Sequence, residues 1–195
     1  MKRFYWILLF FLLQGCSDRN DMLPSGSQLL KNSDFSASPD NVSPWVAITS
    51  PGFNLGVSEE VFRIGSRSVY IENLDSLNQN TGNWKQSYTG PAPRPGRTLR
   101  MRAYLKGENI VLRGPRSNIY ISMRAFPVQD SRGSTIGRFI SSQDRIRVNG
   151  TFDWRPIELV LNNAPDEIDF ITVYLVMGPR ATGRVYFDEV TLTVD

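Results

Sequence analysis

Apolar and polar residues alternate in three stretches of this chain. Leu99, Met101, Ala103 and Leu105 alternate with Arg100, Arg102, Tyr104 and Lys106; Ile119, Ile121, Met123 and Ala125 alternate with Tyr120, Ser122, Arg124 and Phe126; Ile157, Leu159 and Leu161 repeat the pattern. A period of two sends successive side chains to opposite sides of a strand, so each stretch predicts a half-buried strand. Residues 168–177 (IDFITVYLVM) are apolar on both sides and predict a central strand. Near the C-terminus Val185 and Phe187 occupy odd positions, whereas Val190, Leu192 and Val194 occupy even ones. That change of parity at Asp188-Glu189 predicts a β-bulge. Helical spacing is confined to one short candidate, 57–64 (VSEEVFRI). Asn149-Gly150 predicts a hairpin-type turn, and glycines and prolines separate the remaining runs. Many short strands at this spacing imply an all-β sandwich or jelly roll.

The N-terminus follows a different pattern. Lys2 and Arg3 precede the apolar run 4–13, and Gln14, Gly15 and Cys16 follow it. A basic start, a short apolar stretch and a small residue at a cleavage point form an export signal too short to span a bilayer. Leu13-Gln14-Gly15-Cys16 resembles the lipobox of bacterial lipoproteins, in which the cysteine sulfur carries a diacylglycerol. The resemblance implies a signal peptide over 1–15 and an acylated Cys16. Residues 16–28 then form a flexible tether ending in a Pro-Ser-Gly-Ser stretch, and 29–195 form the body. Two or three acyl chains, at about 0.8 kcal/mol per buried CH₂, anchor a protein firmly. Ser17 after the cysteine implies sorting to the outer membrane, with the leaflet open.

Composition narrows the chemistry. Across 195 residues there is no histidine and one cysteine, Cys16. This chain therefore holds no Ser-His-Asp triad, no His or Cys zinc site and no internal disulfide. Of the 22 basic residues Lys2 and Arg3 lie in the leader, leaving 20 against 19 acids. The basic pI is thus largely a leader effect, and nucleic acid is not an expected partner of an exported lipoprotein. Charge is uneven nonetheless. Residues 94–124 carry eight basic groups against Glu108 alone, and 158–195 carry seven acids against Arg180 and Arg184. The expected outcome is mutual neutralisation across the sandwich; the alternative is a basic face for anionic glycans or lipid phosphates.

Five stretches in order then resemble family 4, 9 and 22 carbohydrate-binding modules. They are 29–35 (LLKNSDF), 84–86 (WKQ), 95–107 from Pro-Gly-Arg to Leu-Lys-Gly, 152–165 from Phe-Asp-Trp-Arg to Ala-Pro, and 185–192 (VYFDEVTL). The resemblance implies a galactose-binding-like jelly roll over the whole body. It also implies a structural calcium between the opening loop and the acid after the closing aromatic, here Asp34 and Asp188.

Sugars offer C–H faces that stack on aromatic rings and hydroxyls that match polar side chains. Trp84 and Gln86 share a face by period two, as do Tyr120 and Arg124, and these four are the expected ligand-binding residues. Trp84 is alternatively a core plug, and Tyr174 a further candidate with the same ambiguity. Two acids a few ångströms apart would suffice for glycoside cleavage. Glu59-Glu60 and the Asp166, Glu167, Asp169 cluster are instead expected to be solvated. The expectation is a non-catalytic, monomeric glycan-binding lipoprotein. A structural or protein-docking lipoprotein and a small glycoside hydrolase or lyase are the alternatives.

Overall fold

The computed structural model describes residues 23–127 and 138–195. Eleven strands follow in chain order: β1 (Ser27–Gln28), β2 (Val46–Ile48), β3 (Phe53–Ser58), β4 (Ser68–Asn73), β5 (Gly82–Tyr88), β6 (Leu99–Val111), β7 (Ile119–Phe126), β8 (Arg138–Ser141), β9 (Gly150–Leu161), β10 (Phe170–Met177) and β11 (Thr182–Val194). They form two antiparallel sheets, one ordered β3-β4-β11-β6-β9 with β1 on β11, the other β2-β5-β10-β7-β8. No helix occurs among the described residues.

The alternating stretches become strands as the pattern requires. Leu99, Met101, Ala103 and Leu105 of β6 are buried and face Ile119, Ile121, Met123 and Ala125 of β7 and Ile171, Val173, Leu175 and Met177 of β10 across one core. The doubly apolar stretch becomes β10, the middle strand of its sheet. The parity change in β11 is a bulge: pairing with β6 shifts between Asp188 and Thr191, and Glu189 adopts a positive φ of 49°. The extra residue keeps Val185, Phe187, Val190, Leu192 and Val194 all buried.

Three expectations are corrected. Residues 57–64 form no helix, because the chain leaves β3 at Ser58 and its amides find other acceptors. Val61 N donates to Ser58 Oγ, and Arg63 N and Ile64 N donate to the Asp188 carboxylate instead of to carbonyls one turn back. Asn149-Gly150 is not a hairpin tip, since β8 pairs with β7 in one sheet and β9 with β6 in the other. Residues 26–28, expected to lie in the tether, belong to the body, because Gly26 N donates to Val194 O and Ser27–Gln28 pair with β11.

The expected charge neutralisation occurs within one sheet rather than across the sandwich. Arg100 on β6 pairs with Glu158 on β9 at 2.7 Å and with Asp195 at 3.1 Å, and Arg184 on β11 pairs with Glu72 on β4 at 2.8 Å.

Candidate functional site

Strand β5 decides where the predicted site residues go. Its even positions face the core, so Trp84 is only 5% and Gln86 only 3% exposed. Trp84 stands in the core with its Nε1 donating to Tyr70 O at 3.1 Å. Gln86 clamps the opening segment: its Oε1 accepts from Lys31 N at 2.8 Å and its Nε2 donates to Lys31 O at 2.9 Å. The shared face was read correctly, but it points inward, so neither residue can stack on or bond to an external ligand. Trp84 ties β5 to β4 of the facing sheet through the core, and Gln86 ties it to the segment around Lys31.

Tyr120 and Arg124 are brought together on the outer face of the five-stranded sheet. They line a groove of about 200 Å³ with Thr81, Asn83, Ser122, Phe139, Tyr174 and Val176. The register explains the convergence. Val176 pairs with Asn83 on one side and Tyr120 on the other, Tyr174 with Lys85 and Ser122, and Arg124 with Thr172 and Phe139. Phe139 is 52% exposed, and the Arg124 guanidinium lies 4.7 Å from its ring centroid. Such a contact holds the cation in place over an apolar surface. The face continues past the groove to the Phe126–Phe170 stack, with centroids 4.5 Å apart.

The polar groups of this groove are largely uncommitted. Arg124 forms no ion pair with any described acid, and Glu158, a partner considered for it, bonds Arg100 instead. Asn83 Oδ1 is shielded and has no hydrogen-bond partner. Burial raises the Tyr120 hydroxyl above its ordinary pKa, with Arg124 opposing, so the group remains a neutral donor and acceptor. No carboxylate is among the described lining residues.

A larger concavity, about 520 Å³, lies on the other sheet around Arg67, Tyr70, Arg184 and Tyr186. Its side chains are already bonded to one another. Arg184 contacts Glu72 through two nitrogens and lies 4.8 Å from the Tyr70 ring centroid, Tyr186 donates to Glu108 at 3.2 Å, and Arg67 pairs with Glu59 at 2.6 Å. Of the two hollows, the aromatic groove has the groups free to meet a ligand.

Asp188 and Asp34, the pair expected to hold calcium, are neighbours. Asp188 is fully buried; its Oδ2 accepts from Arg63 N at 2.6 Å and Ile64 N at 3.1 Å, and its Oδ1 from Glu189 N at 2.6 Å. Among the described residues no group of three or more acidic, His or Cys side chains could hold a metal. Calcium wants six to eight oxygens, and a carboxylate occupied by amide donors has little left to offer. Burial raises the Asp188 carboxyl to about 6, the nearby Asp34 charge adds to the rise, and the amides of Arg63 and Ile64 oppose it. Asp34 packs under Gly65, whose φ of +68° and lack of a side chain leave room for Asp34 Oδ2 and Ser36 Oγ.

Sequence reasoning missed Asn83, Ser122, Phe139 and Val176. The first two were legible as partners by period two of Lys85 and Tyr120, whereas Phe139 is isolated in sequence. Cys16, the residue expected to be lipidated, lies outside the described residues.

No family model matches the chain, and no curated protein matches it. Solved structures do. The CBM22-1 xylan-binding domain of Paenibacillus barcinonensis Xyn10C matches with a TM-score of 0.53 and 13% identity, over 87% of this chain and 96% of that one. The body has the jelly-roll fold of carbohydrate-binding modules. A Stig cyclase from Fischerella sp. TAU matches with a TM-score of 0.63 and 14% identity over 88% and 98% of the two chains. The enzymatically active domain of tailspike protein 4 of bacteriophage CBA120 matches with 0.59 and 13% over 86% of this chain, which spans only 21% of that one. Likenesses at these identities establish a fold, and one fold carries many functions.

Proposed function

We propose that this chain is a non-catalytic, lipid-anchored module that binds poly- or oligosaccharide in the groove on its five-stranded sheet. The observation that carries the reading is the lining: Tyr120, Tyr174 and Phe139 offer ring surface beside the amide of Asn83, the hydroxyl of Ser122 and the guanidinium of Arg124, with no carboxylate among them. Ring faces suit the C–H faces of a sugar, and planar polar groups suit its vicinal hydroxyls. The fold likeness to a xylan-binding domain supports the same reading. Acylation of Cys16 would anchor the protein to the outer membrane, with the residues before Gly26 as its tether.

The test applies the full-length protein, in detergent, to immobilised neutral and acidic polysaccharides while reducing-sugar release is followed. Retention without release is the expected result. Release of sugar ends would assign a glycoside-active enzyme, and passage through every polymer would leave a docking lipoprotein as the better reading.

A further inference from the structure

Three loops meet at one end of the sandwich and bring five arginines together. Arg113 and Arg116 come from 112–118, Arg145 and Arg147 from 142–149, and Arg180 from 178–181. The loops touch directly: Asn118 Nδ2 donates to Asp144 Oδ1 at 3.0 Å, Gly178 N donates to Asn118 O at 2.8 Å, and a side chain on Gly114 would come within 3.1 Å of Arg180 Nη1. Leu112 and Gly114 share a hollow of about 430 Å³ with Arg147 and Asn149. Asp144 is the only acid in these loops, and none of the five arginines forms an ion pair among the described residues. Two acids stand on adjoining elements, Asp75 and Glu108; they accept from Leu77 N and Tyr186 Oη and form no ion pair among the described residues. Arg113 donates to Thr182 Oγ1, while the shielded Arg180 Nε and Asn118 Oδ1 have no partner. Arg63, Arg67, Arg100 and Arg184 are each held by a carboxylate, whereas these five, gathered at one end, are not, and like charges so placed repel one another.

This end adjoins the groove. Tyr120 follows Asn118 by two residues, and Val176 precedes the 178–181 loop by two. Among the described lining residues of the groove Arg124 is the only charged side chain, so the groove and the arginine end carry charge of the same sign. The end lies opposite β1. Strand β11 runs its 13 residues from Thr182, beside the arginines, to Val194, which pairs with β1, a separation of about 40 Å at the rise of a strand.

We infer that the ligand is an acidic polysaccharide: its chain lies along the groove and its carboxylate or sulfate groups are held by the arginines at this end. The inference rests on the glycan-binding reading and adds the charge class of the polymer. Guanidinium groups bind carboxylate or sulfate oxygens by paired N–H donors, and clustering them gives affinity with strong salt dependence.

The experiment measures binding of the full-length protein to sodium polygalacturonate, dextran sulfate and neutral galactan, at about 50 and about 200 mM salt. Expected are binding to at least one acidic polymer well above galactan and a loss exceeding about tenfold over that salt range. A triple variant, Arg116→Gln, Arg145→Gln and Arg147→Gln, should lose about tenfold or more with an unchanged melting temperature, and the matching triple Lys variant should recover part of it. Tyr120→Ala should weaken both acidic and neutral binding. Equal binding of acidic and neutral polymers, or an unaffected Gln variant, would overturn the inference while leaving the groove reading intact. A Gln effect with no Tyr120→Ala effect would instead remove the groove. Leu74 and Leu77 stand exposed on the neighbouring 74–81 loop, so an anionic bilayer is the competing ligand. Tighter binding to phosphatidylglycerol vesicles than to any acidic polymer, lost in Leu74→Ser/Leu77→Ser, overturns the assignment in favour of a membrane. Equally tight binding to duplex DNA overturns it in favour of unselective polyanion binding.

Discussion

Trp84 and Tyr120 belong to one sheet but to opposite faces of it, so truncation separates core from site. Trp84→Ala should destabilise the fold by about 3 to 5 kcal/mol through the cavity it leaves and the loss of the bond to Tyr70 O, and any loss of binding would follow from unfolding. Tyr120→Ala and Arg124→Ala should keep their melting temperatures and weaken polysaccharide binding by about 1 to 3 kcal/mol, the scale of a central contact. Melting and binding on the same three variants check both statements; a Trp84→Ala protein that melts normally would contradict its burial. Asp188 provides a second test at this scale. Its carboxyl is raised to about 6 in the fold against about 3.9 when unfolded, so between those values the native state holds the extra proton. Its contribution is therefore fully present below about pH 4 and is lost as pH rises through about 6, by at most about 3 kcal/mol. Denaturant midpoints measured from about pH 4 to about pH 7.5 should fall in the parent by more than in Asp188→Asn, which cannot titrate; parallel profiles would refute the assignment.

At the scale of elements, register carries the stability. The bulge at Asp188-Glu189 is what lets one strand bury Val185 and Phe187 on one side of it and Val190, Leu192 and Val194 on the other. Deleting Glu189 should turn the last three outward and drive Thr191 and Thr193 inward, abolishing a cooperative melting transition. A deletion variant with a normal transition would show that the bulge is dispensable. The junction of β5 with the opening segment depends on one side chain. Gln86→Met keeps the volume but leaves Lys31 N and O without their partner, which should cost about 1 to 3 kcal/mol and free the residues around Lys31 to exchange amide hydrogen faster. Unchanged exchange there would place the clamp elsewhere.

For the whole molecule, the leader and the body make separate predictions. Cys16→Ser should abolish metabolic labelling with a fatty acid and leave the precursor uncleaved, while the body still folds and binds; persistent labelling would reject the anchor. Arg100, Lys106 and Arg184 of the six-stranded sheet pair with acids on or beside neighbouring strands, and solvent screens the exposed ones. The proposed acidic ligand belongs to this scale because no single loop carries the arginine end.

The chain by itself determined the strands β6, β7, β9, β10 and β11, since alternation with period two needs only local geometry. It also located the bulge, because one core face must keep its apolar residues across a parity change, and five ordered motifs pointed to the jelly roll that solved structures share. Period two also grouped Trp84 with Gln86 and Tyr120 with Arg124. It could not say which way the Trp84–Gln86 face of β5 points: that strand, GNWKQSY, places Gln86 between Trp84 and Tyr88, so a polar residue shares the face with its two aromatic ones. The face was settled by the sheet packed behind it. In the same way the groove draws on β5, β7, β8 and β10, and the arginine end on loops 112–118, 142–149 and 178–181. Strand order and sheet pairing set those neighbours, and they are long-range contacts that no local period encodes.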